Sequence, residues 1–203
     1  MGDITRNRPT QDKNNVGGLR AAYFIKLDEA AGTGLGTLAF TTGSDEITDI
    51  INGGPTTGET LTIYKYDLQG TSTFEQTENN SRDNGTVMYE QVLTLSLKKK
   101  SVEDNDDLYA LATSRWHIIV EDKNGNLELV GKDYGAEKAG TSSSGAAMGD
   151  LSGYSYTFTA MEKRPANFIQ EGAIWTAGNT GSLAADNYYS DITIGSTTGT
   201  ASR

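Results

Sequence analysis

Tyr154-Ser155-Tyr156-Thr157-Phe158-Thr159-Ala160-Met161 sets its aromatic side chains on one parity and its hydroxyl side chains on the other. Successive side chains of an extended chain point to opposite faces. This alternation therefore predicts a β-strand with one face in a core and the other in water. The strand should end in Glu162-Lys163-Arg164-Pro165-Ala166-Asn167-Phe168, because Pro165 has no N–H to give to a ladder.

Three stretches upstream carry the same kind of signal. In Thr86 to Lys98 the odd positions Val87, Tyr89, Leu93, Leu95 and Leu97 are apolar, while Glu90, Thr94, Ser96 and Lys98 are polar, so a second strand with one wet face is expected. Leu61 to Leu68 is dense in β-branched and aromatic residues. Leu19 to Leu27 is an almost unbroken apolar run, which reads as a buried strand. Glu46 to Ile51 fits either a short strand or one helical turn.

One helix interrupts these strands. Ser101 is placed to cap it, with Asp104 three residues on, and the acids Glu103, Asp104, Asp106 and Asp107 suit the positive end of a helix dipole. Arg115 would suit the other end, and Leu108, Leu111 and Ala112 lie at helical spacing for packing on a sheet, giving a short flanking helix at about 101–115. Immediately after it, Trp116 to Val120 and Asn126 to Val130 flank Asp122-Lys123-Asn124-Gly125. An Asn-Gly pair between two apolar runs predicts a β-hairpin.

The remaining stretches are rich in Gly, Ser, Thr and Asn and read as connections. Residues 1–18 form an extended N-terminal arm, residues 19–169 a β-rich core domain, and residues 170–203 a C-terminal arm or extension with one short alternation at Ile192–Ile194. Within the core, Glu29 to Gly43 and Gly135 to Ser152 read as flexible loops. Gln69 to Gly85 fits a further strand or a loop. The fold class expected is mainly β, a β-sandwich or barrel-like sheet with one short flanking helix and extended arms.

Composition narrows the chemistry. The 203 residues contain no cysteine and one histidine, His117, which removes thiolate catalysis, disulfide frameworks and the usual zinc sites. No apolar run reaches the roughly 20 residues of a membrane-spanning helix, and residues 1–15 do not form a signal peptide, so no membrane partner is expected. A formal charge of −10 should repel polyanions and argues against specific nucleic-acid binding.

Individual motifs point the same way. Gly32-Thr33-Gly34-Leu35-Gly36 lacks the spacing of a dinucleotide loop and the Lys-Ser/Thr of a phosphate loop. Asp122-Lys123-Asn124-Gly125-Asn126 has its glycine two places too early for an EF-hand, and the acids at 103–107 are explained by the helix start. His117 has no nucleophile-elbow serine to serve and reads as an ordinary strand histidine. Asn79 and Asn84 begin Asn-x-Ser/Thr triplets, which matter only in a secreted protein. No catalytic, cofactor-binding or metal-binding residue is assigned, no cofactor is expected, and the chain is read as a non-enzyme.

The order of these elements, with the late strand Gly-Tyr-x-Tyr-Thr-Phe-Thr-Ala-Met-Glu-x-x-Pro-Ala-Asn-Phe, resembles the tail tube, or major tail, proteins of bacteriophages. The opening Asn14-Asn15-Val16-Gly17-Gly18-Leu19, followed by Ala22-Tyr23-Phe24, is similar to the starts of virion structural proteins. The resemblance implies a virion subunit, made in the host bacterial cytoplasm, that assembles with itself into stacked hexameric rings around a channel. It implies contacts with other virion proteins and with passing DNA that is not specifically bound. In that family long loops and terminal arms join the rings, and residues 1–18, 69–85 and 170–203 are the counterparts here. The stretch after Phe168 is longer than a minimal tube subunit needs, which leaves a capsid decoration, connector or baseplate role open. A carbohydrate- or receptor-binding β-sandwich using Trp175, Tyr188 and Tyr189 is a separate reading, and a small carboxylate hydrolase a third.

Overall fold

The computed structural model describes residues 8–10, 13–27, 37–40, 45–51, 61–68, 71–170 and 192–194. They form twelve strands and one helix, arranged as two sheets. The larger sheet runs β12 (Ile192–Ile194), β4 (Leu61–Asp67), β1 (Leu19–Leu27), β7 (Arg115–Asp122), β8 (Leu127–Val130), β11 (Asn167–Ile169), β3 (Ile47–Ile51), β2 (Thr37–Phe40). The smaller runs β5 (Thr73–Ser81), β6 (Thr86–Lys98), β10 (Gly153–Glu162), β9 (Glu137–Ser143). Pairing is antiparallel except where β11 meets β3 and β12 meets β4.

The sheets stack face to face through one core. From the larger sheet come Ala22, Phe24, Trp116, Ile118 and Val120, and from the smaller Leu93, Leu95, Tyr156, Phe158 and Ala160. Phe24 and Phe158 meet across the gap at 5.2 Å between ring centroids, a tilted contact worth about 1 kcal/mol beyond the area it buries. This is the β-sandwich that the alternation in β6 and β10 called for, with the apolar parity of each turned inward. β1 differs because its other parity is buried as well. Ala21, Tyr23 and Ile25 join Ile119, Leu129 and Ile47 in a second cluster on the far face of the larger sheet. Burial on both faces explains why β1 reads as a continuous apolar run.

The helix α1 (Val102–Thr113) begins as expected, with Ser101 Oγ accepting from the Asp104 N–H at 3.0 Å. Leu108 and Leu111 pack into the core between the sheets, but Ala112 is exposed, so the apolar face is narrower than its spacing suggested. Arg115 is also not a helix-end cation. It opens β7 and its guanidinium pairs with Glu137 at 2.9 Å.

Two stretches correct the sequence reading and two settle alternatives that it left open. Thr37–Phe40, inside the stretch read as a loop, is β2, and Glu137–Ser143, inside the second such stretch, is β9. Within Gln69–Gly85, read as a strand or a loop, the described residues 71–85 hold the strand β5 and its turn, and Ile47–Ile51 is a strand rather than a helical turn. β5 and β9 carry almost no buried side chain, so neither shows the apolar alternation that reveals a strand whose face is in a core. They are held by ladder hydrogen bonds to β6 and β10. In the C-terminal extension, Ile192–Ile194 is the edge strand β12 beside β4.

Candidate assembly surface

The inner parity of the smaller sheet makes the core, so its other parity is an outward face. Read across the registers, one row holds Thr73, Thr94, Thr157 and Ala139. The row on one side holds Ser96, Ser155 and Thr141, and the row on the other holds Glu75, Val92, Thr159 and Glu137. Beyond these come Thr77, Glu90 and Met161. All of these side chains are exposed or half-exposed. The face is thus a field of short hydroxyl groups, with carboxylates gathered toward one end and Lys98 at the other. Hydroxyls hold water well but offer no fixed charge, and β-branched threonine keeps the sheet stiff.

Two sides of this sheet carry no further strand among the described residues, although Ala136, next to β9, makes an isolated antiparallel bridge with Trp116 of β7. β5 and β9 are its outer strands, nine and seven residues long, and among the described residues neither pairs with a strand beyond it. Unpaired N–H and C=O groups along such an edge are a template for another strand unless something blunts them. On β9 the inward Lys138 does not blunt it. Its ammonium turns under the helix to the Leu108 carbonyl and lies 3.9 Å from the Tyr156 ring centroid.

The third feature is a projecting ribbon. β10 pairs with β6 only as far as Tyr89, so Asn79 to Met88 extend past the sheet as two strands and a turn, by about 10 Å at the usual strand rise. Val87 and Met88 are exposed on opposite faces of it. The turn closes with a 3.4 Å bond from the Gly85 N–H to the Arg82 carbonyl, and Gly85 sits at φ 63, where glycine is favoured. Asn79 and Asn84 both lie on this ribbon.

Among the described residues, three of the five buried polar side chains, Gln91, His117 and Glu162, converge elsewhere, on the loop Gly131–Gly135 between β8 and β9. His117 Nδ1 lies 2.6 Å from the Gly131 carbonyl, which can only accept, so Nδ1 carries the proton. Burial holds this imidazole below its ordinary pKa, against the pull of that hydrogen bond. Gln91 Oε1 accepts from the Gly131 N–H, and Gln91 Nε2 donates to Gln76, which in turn accepts from the Ala166 N–H. Glu162 accepts from the N–H groups of Asp133 and Tyr134, both at 3.0 Å. Burial raises its pKa, and those two N–H donors offset part of the rise. These three side chains hold a loop and tie the sheets together.

The motifs weighed in the sequence fall into place around this. Asp122 spends both carboxylate oxygens on the turn that follows it: Oδ1 accepts from the N–H groups of Asn124 and Asn126, and Oδ2 from their side-chain amides. Burial opposes its charge, but these donations outweigh it and keep the carboxyl below its usual pKa. The calcium-loop look-alike is therefore a capped hairpin turn. The acids at 103–107 lie along the start of α1, and no group of three or more His, Cys, Asp or Glu able to hold a metal occurs among the described residues. Gly32–Gly36, Trp175, Tyr188 and Tyr189 lie outside the described residues.

Half of the hydroxyl face was legible in the sequence as the polar parity of β6 and β10. The Thr141 and Ser143 portion was not, because it stands on a strand read as a loop, and Thr73 and Thr77 stand on a stretch left open between strand and loop. Among the described residues no helix is long and apolar enough to cross a membrane. No protein-family model, curated protein or solved structure matches the chain.

Proposed function

We propose that this chain is a structural, non-enzymatic virion protein, the tail tube subunit of a bacteriophage, which assembles into stacked hexameric rings around a DNA-conducting channel. The observation that carries the reading is the four-stranded sheet whose outer strands β5 and β9 pair with no further strand among the described residues, with a hydroxyl-and-acid outer face. Pairing β5 of one copy with β9 of the next is a head-to-tail contact, and such contacts make rings when the rotation closes. Six four-stranded sheets side by side give a barrel of roughly 24 strands, well above the 16–18 that already leave an aqueous bore in porins.

The outer face suits the wall of that bore. DNA phosphates meet no cation on the face short of its far end, where Lys98, Lys99 and Lys100 follow one another, and the protein's net negative charge pushes them toward the axis. The ribbon Asn79–Met88 projects along the strand direction, where it would meet the next ring, and gives exposed Val87 and Met88 a partner to cover them.

The test is to blunt one edge. Thr141→Lys with Ser143→Lys puts two charges on exposed positions of β9, a device that natural edge strands use against pairing. Expected are an unchanged circular dichroism spectrum and loss of the rings formed by the unsubstituted protein, followed by mass photometry. Rings of the same mass in both proteins would remove the β5–β9 contact from the account.

A further inference from the structure

The chain has two Asn-Gly pairs at hairpin turns, Asn84-Gly85 and Asn124-Gly125, and the structure treats them differently. Both asparagines are exposed. At the second turn the side-chain amide is locked. Asn124 Oδ1 accepts from the Val16 N–H at 2.9 Å, while Nδ2 donates to the Val16 carbonyl at 2.9 Å and to Asp122 Oδ2 at 3.1 Å. At the first turn only the backbone is engaged: the Asn84 N–H donates to Ser81 Oγ at 3.3 Å, and the side-chain amide makes no hydrogen bond to a described residue.

We propose that Asn84 is a site of spontaneous covalent modification, deamidation through a cyclic imide, and that Asn124 is protected from it. The backbone nitrogen of Gly85 loses its proton to base and attacks Asn84 Cγ. A C–N bond forms, and the side-chain nitrogen leaves as ammonia. Water then adds to either carbonyl of the imide and opens it to aspartate or isoaspartate, so water is the one co-reactant. Glycine at the second position leaves the approach unhindered because it has no Cβ, and nothing lies within 4 Å of where one would stand at Gly85. The free amide can rotate to present Cγ, and the Gly85 N–H is held only by its long bond to the Arg82 carbonyl. At Asn124 the same rotation must first break three hydrogen bonds. The product adds a carboxylate beside Asp83 at the ribbon tip. This inference stands whether or not the chain forms tubes.

The experiment incubates the full-length protein, diluted until mass photometry reports single copies, at mildly alkaline pH. Peptide mass spectrometry then follows conversion of amide to acid at the two sites. Expected is accumulation at Asn84 at least about tenfold faster than at Asn124, the factor that three hydrogen bonds supply even at about 0.5 kcal/mol each. In urea-unfolded protein the two rates converge. Asp122→Ala should raise the rate at Asn124, and Asn84→Gln should abolish the signal at the tip. Equal rates in the folded protein, a faster Asn124, or no conversion at Asn84 would each overturn the proposal.

Discussion

The two hairpins that carry Asn-Gly share a local code and differ in almost everything else. The turn between β7 and β8 is fastened from three directions. Asp122 caps it, Asn124 holds Val16, and the Lys123 N–H donates to the Gly18 carbonyl. The turn between β5 and β6 stands past the end of β10, with exposed residues on both faces and two weak local bonds. The dipeptide dictates where the chain reverses. Contacts more than 100 residues away in sequence decide whether the reversal is a fastened corner of the body or a projecting ribbon.

Substitutions along β6 probe this difference most strongly, because one strand passes from core to ribbon. Leu93→Ala, fully buried against Phe158 and the rest of the core, should cost about 2–5 kcal/mol in urea unfolding. Val87→Ala, on the same parity but beyond the sheet, should fall within about 0.5 kcal/mol. A large loss from Val87→Ala would mean that the ribbon is part of the folded body after all.

A smaller effect separates the turns themselves. Asp122→Ala removes the acceptor for four donors and should cost about 2 kcal/mol, whereas Ser81→Ala removes one long bond and should cost a few tenths. Equal losses would erase the distinction between the two hairpins.

The subtlest effect is on pH dependence. His117 stays neutral in the fold below the pH at which the unfolded chain takes up its proton, near 6.5. The unfolded state then binds more protons, so the stability contributed by His117 is whole above about 6.5 and drains as pH falls toward the folded pKa. His117→Gln keeps a donor for the Gly131 carbonyl and should flatten that part of the curve, read as the difference in urea midpoint between the two proteins at pH 7 and pH 5. Glu162 works in the opposite sense. Its raised pKa makes the folded state bind more protons above the ordinary carboxylate range, so its contribution falls as pH rises through that window.

Legibility in the sequence followed burial. β1, β4, β6, β7 and β10 each bury side chains in a core, and their apolar spacing announced them. The cap at Ser101 and the Asn124-Gly125 turn were equally plain because their chemistry is local. β9 was hidden, and β5 left open between strand and loop, because they contribute ladder bonds rather than apolar surface, and β2 was hidden because its four residues sit in a glycine-rich stretch. Part of the candidate face and both of its outer edges stand on β5 and β9. Residues that await a partner leave no mark of burial in a single chain, so the face and edges proposed for assembly were the hardest part to foresee.

Negative-stain electron microscopy of the purified protein across a concentration series tests the central claim most directly. The account expects six-fold rings with a central hole at modest concentration, stacking into tubes as concentration rises. A monomer at every concentration, with β5 and β9 still open to solvent, would contradict it.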